Sequence, residues 1–326
     1  MRNIIYSFVL ILIFAIFLSG CNIEESNPIK EKTKIGIMLS DVGLGDQSFS
    51  DAAFQGLVRA RDELGIVFDY RELKDTETYE QGLMDLVEAD HHLIVGLGFM
   101  VQEELETVAK QYPNQLFLLV DAVSEVDNII SLTFKEDEGS YLAGVIAALT
   151  TETKTIGFIG GDDVPLIQKF ANGFAKGAAS IDPEIEVLIE YSGDFGNDVL
   201  GAEIAKNMID QDSDVLYSAA GFTGVGALRE AQQNGVYAIG VDSDQFYYAE
   251  EAIITSMMKN VDVALFDAVK EIQEHNQLSD KHIELGLADN GVGLAPVRII
   301  NLTAEQEEEL REAEEALLHG DVIFSN

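Results

Sequence analysis

Carboxylates, glycines and phenylalanines recur just after short apolar runs in this chain. Residues 35–39 are followed by Asp41, Gly43, Gly45, Asp46, Ser48 and Phe49. Residues 93–95 lead into Gly96, Leu97, Gly98 and Phe99, and 116–120 lead into Asp121. Further along come Gly160, Gly161, Asp162 and Asp163, then Gly221, Phe222 and Thr223, then Asp242, Ser243, Asp244 and Gln245. Positive charge is nearly absent from these places; Lys259, after the run 253–258, is the exception. Glycines let a ligand approach the backbone closely. Carboxylates accept hydrogen bonds from hydroxyls and ring N–H groups, and phenylalanine faces stack on flat rings. The set suits an uncharged, polar, ring-bearing ligand such as a sugar or a nucleoside. It does not suit a phosphate, which carboxylates repel.

Each residue type also has a plain structural use. A carboxylate after a strand can cap the next helix, and a single phenylalanine can belong to the core. Catalysis has little to work with. The histidines, His91, His92, His275, His282 and His319, lie in no metal-ligand spacing, and there is no cysteine cluster. No G-x-S-x-G elbow occurs. Gly43 and Gly45 lack the third glycine of a dinucleotide loop. The pair Asp242 and Asp244 lacks the order of a calcium loop. No enzyme activity, cofactor or metal is expected.

The elements that must position these residues follow from periodicity. Strands are expected over 35–39, 66–70, 93–95 and 116–120, with helices over 49–64, 78–88 and 102–111 between them. After 128–134 and a helical stretch over 139–149 the pattern restarts. Strands at 154–160, 186–191, 215–217 and 237–241 alternate with helices at 165–179, 200–209 and 224–233. Alternation of this kind means right-handed βαβ units and a parallel sheet. The chain therefore holds two successive βα series. Hinge crossings are expected near 135–151 and 253–260. The first lobe is expected to comprise 34–140 plus about 260–326, and the second 141–259. The acidic helix over 303–318 is expected to lie on the surface. In open α/β sheets ligands sit beyond the carboxyl ends of the strands, which is where the residues above stand.

The chain begins with Arg2 and fourteen nearly unbroken apolar residues, 4–17, followed by Leu18, Ser19, Gly20 and Cys21. That stretch is short for a membrane span, which needs ~20 residues, and has the layout of an export signal. Residues 1–20 are expected to be a signal peptide and Cys21 the lipid-bearing first residue of a mature lipoprotein. Residues 21–33 would be its flexible tether. Removing 1–20 leaves 306 of 326 residues, enough for two domains. Cys21 is the sole cysteine, so no internal disulfide can form. Asp plus Glu number 58 against 20 Lys plus Arg, a net charge of −38 that excludes nucleic acid as a partner.

Taken in order, these residues resemble the basic membrane lipoprotein family, which includes the purine nucleoside receptor lipoproteins of ABC transporters. The resemblance is carried by Asp46-Gln47-Ser48-Phe49, Phe54-Gln55-Gly56-Leu57, Gly98-Phe99, and Glu138-Gly139-Ser140-Tyr141-Leu142-Ala143-Gly144. Ala238 to Gln245, Ser256-Met257-Met258-Lys259 and Gly293-Leu294-Ala295-Pro296 complete it. It implies a type I periplasmic-binding-protein fold, two Rossmann-like lobes joined by a three-segment hinge. It also implies a nucleoside ligand, held with its base between Phe49 and Phe222. Asp121 would contact the base, Asp242 and Lys259 the ribose, and Asp41 would share the cleft. An ABC permease in the membrane would be the partner, and the protein would work as a lipid-anchored monomer outside the cytoplasmic membrane. Ser50 stands where the family usually has asparagine. That departure is compatible with an alternative role as a regulator or sensor of the same fold with altered ligand binding.

Overall fold

The computed structural model describes residues 32–324. The expected signal peptide and Cys21 lie outside the described residues. Five strands alternate with helices in each half of the chain. β1 (Lys34–Met38), β2 (Val67–Arg71), β3 (Leu93–Leu97), β4 (Phe117–Val120) and β5 (Ile129–Phe134) join β11 (His282–Leu285) in one sheet, ordered β2-β1-β3-β4-β5-β11. β6 (Thr155–Gly160), β7 (Glu186–Tyr191), β8 (Val215–Ala219), β9 (Tyr237–Asp242) and β10 (Ile253–Lys259) join β12 (Val292–Leu294) in the other, ordered β7-β6-β8-β9-β10-β12. All neighbours are parallel except β10 with β12.

The sequence accounts for this layout. Parallel strands covered on both faces need unbroken apolar runs, and β3 and β4 are buried at every residue. The edge strands β2 and β7 are half-exposed and carry charge, as edges do. Between the strands, α1 (Phe49–Leu64) turns Ala53, Leu57 and Ala60 inward and ends at Gly65 in the left-handed region. α2 (Leu73–Thr76) is a single turn. α3 (Tyr79–Glu88) starts where the Thr78 hydroxyl accepts the Gln81 amide. α4 (Gln102–Gln111) completes this series.

α5 (Glu136–Thr150) is one unbroken helix packed on α6 (Pro165–Ile181) of the second lobe. The lobe boundary therefore falls at Lys135, not at 140. Glycines let these two helices touch through their backbones. A β-carbon on Gly177 would come 1.9 Å from the Tyr141 carbonyl oxygen, and one on Gly144 2.0 Å from that of Phe174. α7 (Asp198–Ile209) and α8 (Gly221–Asn234) pair in the same lobe.

The stretch after 259 divides between the lobes. α9 (Val261–His275) packs on α1, and β11 pairs with β5. β12 then pairs with β10, and α10 (Ala304–His319) lays Ala313 and Leu317 against Tyr141, Leu142 and Val145 of α5. The expectation that all of 260–326 belongs to the first lobe is thus corrected for its final part. The reason is the antiparallel edge that β10 offers to β12. The chain crosses between lobes three times, at Lys135, at Asn260 and over 286–291. The crossings are laced together: Lys135 N–H donates to Leu285 O (3.0 Å), Asn260 N–H to Gly291 O (2.9 Å), and Leu287 N–H to Glu138 Oε2 (2.8 Å).

Because the atoms that a β-carbon on Gly177 would meet are backbone, no side-chain rotation can admit a methyl group. Gly177→Ala should cost about 2–3 kcal/mol. Urea unfolding would show a lower midpoint at unchanged slope.

Candidate solute-binding site

Strand order reverses between β1 and β3 in one lobe and between β6 and β8 in the other. Crevices open at such switch points, and here the two face each other across one cavity of about 80 Å³, measured as the space open to water centres. Asp41, Phe49, Asp121, Asp242 and Lys259 all line it. Phe222 does not. α8 already begins at Gly221, so Phe222 sits in its first turn, not in an open loop. The Thr223 hydroxyl donates to Asp194 O (2.8 Å) and accepts the Asn197 amide (2.8 Å). These bonds fasten the loop after β7, which carries Phe195 to the cavity wall. Phe195, not Phe222, is thus an aromatic group that the second lobe brings to the cavity wall beside Phe170. The signal for it was Gly193, Asp194, Phe195 and Gly196 at a strand's carboxyl end. Phe99 and Phe170 also line the cavity, and the Phe99 and Phe195 rings meet edge to face at 6.4 Å across the lobes.

The loop after β1 is built around Asp46. Its carboxylate accepts the amides of Ser48 (3.0 Å), Ser50 (2.7 Å) and Asp51 (3.1 Å), which starts α1 and sets Phe49 at its first position. Burial pushes Asp46 up to about 6, against those three bonds. Ser50 is sealed beneath the loop, with its hydroxyl 2.7 Å from that of Ser40; Ser40, not Ser50, reaches the cavity. Ser48 instead crosses the cleft, donating to Asp242 Oδ2 at 2.5 Å. Gln245 Nε2 crosses back to Gln47 O (3.0 Å).

Lys259 is buried at the end of β10. Its Nζ lies 2.6 Å from Asp121 Oδ2 and 3.1 Å from Glu136 Oε1, with the rings of Phe49 and Phe134 each 5.1 Å away. Burial would lower its affinity for the proton, but Asp121, Glu136 and Asp242 outweigh that and hold it above the usual lysine range. One ammonium serves three carboxylates. Asp121 is accordingly raised to about 6, by burial first and by Glu136 and Asp242 against the pull of Lys259. Asp242 is raised by burial too, and Asp41 by burial with repulsion from Asp162 and Asp194. Asp121 and Asp242 both sit in the left-handed region, φ 69° and 64°, which turns each carboxylate off its strand end. Asp121 Oδ1 is buried without a protein partner.

Residues 32–323 match the family described as ABC transporter substrate-binding protein, PnrA-like. The chain belongs to this family. A lipoprotein of Pyrococcus abyssi is 30% identical over 96% of this chain and 89% of its own length. The ABC transporter nucleoside-binding protein BmpA of Lactococcus lactis is 29% identical over 94% and 93%. A solved ABC transporter solute-binding protein from Aeropyrum pernix superposes with a TM-score of 0.81 at 28% identity, covering 90% of this chain and 93% of that one. The two-lobed α/β architecture is the type I periplasmic-binding-protein fold. A PnrA-like protein binds a solute for an ABC transporter and presents it to the permease, a role without catalysis. Among the described residues no helix is long and apolar enough to cross a membrane.

Asp46 and Asp121, both near 6 when folded and near 3.8 when unfolded, hold their protons more firmly in the folded state. Their contribution to stability is complete below pH 4 and is lost as pH rises through 6. Asp121→Asn should remove part of that slope, on the order of 1–3 kcal/mol. Thermal midpoints of the solute-free protein from pH 4 to 7.5 would show it as a flatter curve.

Proposed function

We propose that this protein is a lipid-anchored, extracytoplasmic receptor that captures a purine nucleoside between its lobes and delivers it to an ABC permease. The observation that carries the reading is the composition of the cavity. Phe49 from one lobe and Phe195 from the other offer flat apolar faces for a base. Asp121 and Asp242 offer acceptors, and Lys259 a fixed donor. The free Oδ1 of Asp121 supports a contact to a base N–H. Asp41 adds a further acceptor. No anionic solute is favoured beside so many carboxylates. The relative named as a nucleoside-binding protein supports the ligand class. The apolar leader ending in Cys21, and the relative named as a lipoprotein, support the anchor. The protein acts as a monomer in this reading.

Calorimetric titration of the chain lacking residues 1–21 with inosine, guanosine, adenosine, cytidine and simple sugars tests the proposal. Binding of purine nucleosides and not of sugars is expected. Binding of a sugar, or of no compound in the panel, would sink it. Stacking on one ring is worth ~1–3 kcal/mol, so Phe195→Ala should weaken binding by roughly tenfold to a hundredfold. Phe222→Ala should leave it within about twofold of the parent. Asp242→Ala removes a charge-assisted acceptor worth roughly 1.5–3 kcal/mol and should cost a similar factor to Phe195→Ala.

A further inference from the structure

Glu136 was not among the residues expected at the site, and it does not line the cavity. It is wholly buried at the first position of α5, immediately after the crossing at Lys135. Two lysines face it. Lys259 Nζ lies 3.1 Å from Oε1, and Lys169 Nζ lies 3.4 Å from Oε2. Lys259 ends β10 beside the second crossing, and its ammonium reaches on to Asp121 at the end of β4. Lys169 stands on α6 of the second lobe and also donates to Phe134 O (3.4 Å), the last carbonyl of β5 in the first lobe. Glu136 thus pairs with two second-lobe lysines that each reach on to the first lobe, and one of them is the sole lysine among the described residues that line the cavity.

Helix capping does not account for Glu136. The first turn of α5 also carries Asp137 and Glu138, and Asp137 Oδ1 already accepts the Glu138 amide. A charge that serves only a helix dipole has no need of complete burial. A buried charge persists where it is paired, and removing one partner strands the other.

We propose that Glu136 is a positioning residue for solute capture: it fixes the Lys259 ammonium in the cavity wall at its distance from Asp121 while the hinge is closed. This rests on the cavity being the solute site. Without Glu136 the ammonium is free to settle wholly on Asp121, which then has less to offer a solute. The charged and titratable groups facing Asp121 are Lys259, Glu136 and Asp242. Those facing Glu136 are Lys259, Lys169, Asp121, Asp242, Asp137 and the Tyr217 phenol. Glu136 raises the proton affinity of Asp121, so its loss must lower it.

The test is inosine titration of the full chain in detergent from pH 5 to 8, for the parent, Glu136→Gln, Glu136→Asp and Lys169→Gln. Parent affinity should fall on the acid side as Asp121 takes its proton near pH 6. Glu136→Gln should weaken binding about tenfold at pH 7.5, the scale of coupling inside one buried network, and move the acid fall to lower pH. Glu136→Asp should restore the parent's profile. Lys169→Gln, at a half-exposed lysine, leaves Glu136 less neutralised and should move the fall to higher pH, so the test stands even where Glu136→Gln does not fold. Weaker binding with unmoved pH profiles would overturn the proposal. If the parent binds no nucleoside, the functional reading fails separately. The thermal midpoint of the solute-free chain between pH 4 and 7 then decides: a curve unchanged by Glu136→Gln and by Lys169→Gln overturns the role of Glu136.

Discussion

A lysine sealed from water sits at the centre of this protein. Moving an ammonium out of water costs several kcal/mol even after relaxation, and Lys259 meets that cost first through its contacts with Asp121 and Glu136. Those three groups come from three different parts of the chain: the end of β10, the end of β4 and the start of α5. Their contact therefore constrains how the second lobe can sit against the first. The aromatic surroundings, Phe49, Phe134 and Phe170, add favourable faces to the cation without offering it a competing acceptor. With one buried ammonium and the half-exposed Lys169 against Asp121, Glu136 and Asp242, the group as a whole is short of positive charge. A solute that donates hydrogen bonds eases that shortage, and one that brings a further negative charge deepens it.

The strand order explains why these groups meet. Each sheet reverses direction of winding at its first strand, so loops on either side of the reversal splay apart and leave a crevice. Two such crevices, brought face to face by three laced crossings, make a cavity that neither lobe has by itself. The lobes' interiors have the opposite character. Paired helices held at backbone contact by glycines cannot slide without clashes, so each lobe's interior resists shear. The chain passes between the lobes at Lys135, Asn260 and residues 286–291, which is where a hinge motion would have to bend it.

Much of this was legible in the sequence because period-two and period-3.6 patterns are local. The βα alternation of both lobes, and the cavity positions of Asp41, Phe49, Asp121, Asp242 and Lys259, follow from asking what stands after each strand. Phe195 stands after a strand as well, but β7 is a half-polar edge strand and Phe195 lies four residues beyond its end. Phe222 drew attention in its place because helix α8 starts three residues earlier than its apolar spacing suggests. Glu136 was illegible for a different reason. It stands in the stretch expected as a hinge crossing, ahead of a helix expected to begin at 139, and only tertiary packing shows which of the three acids 136–138 is buried. The return of β12 and α10 to the second lobe depends on an edge left open by β10, and no local pattern records that.

The hydroxyl of Ser48 bears on how tightly any solute can be held. It donates to Asp242 Oδ2 from the opposite lobe at 2.5 Å, and Gln245 reaches back to the Gln47 carbonyl nearby. The lobes thus close partly on each other, through groups that border the cavity. A solute hydroxyl approaching Asp242 must share its carboxylate with Ser48 or displace it. The gain from that contact is the difference between two charge-assisted bonds, not the whole of one. The same direct bonds reduce the free energy that a solute must supply to hold the closed form, since a ligand shifts an equilibrium only by its preference between the two states. Direct lobe-to-lobe bonds and solute bonds therefore trade against each other in this cleft.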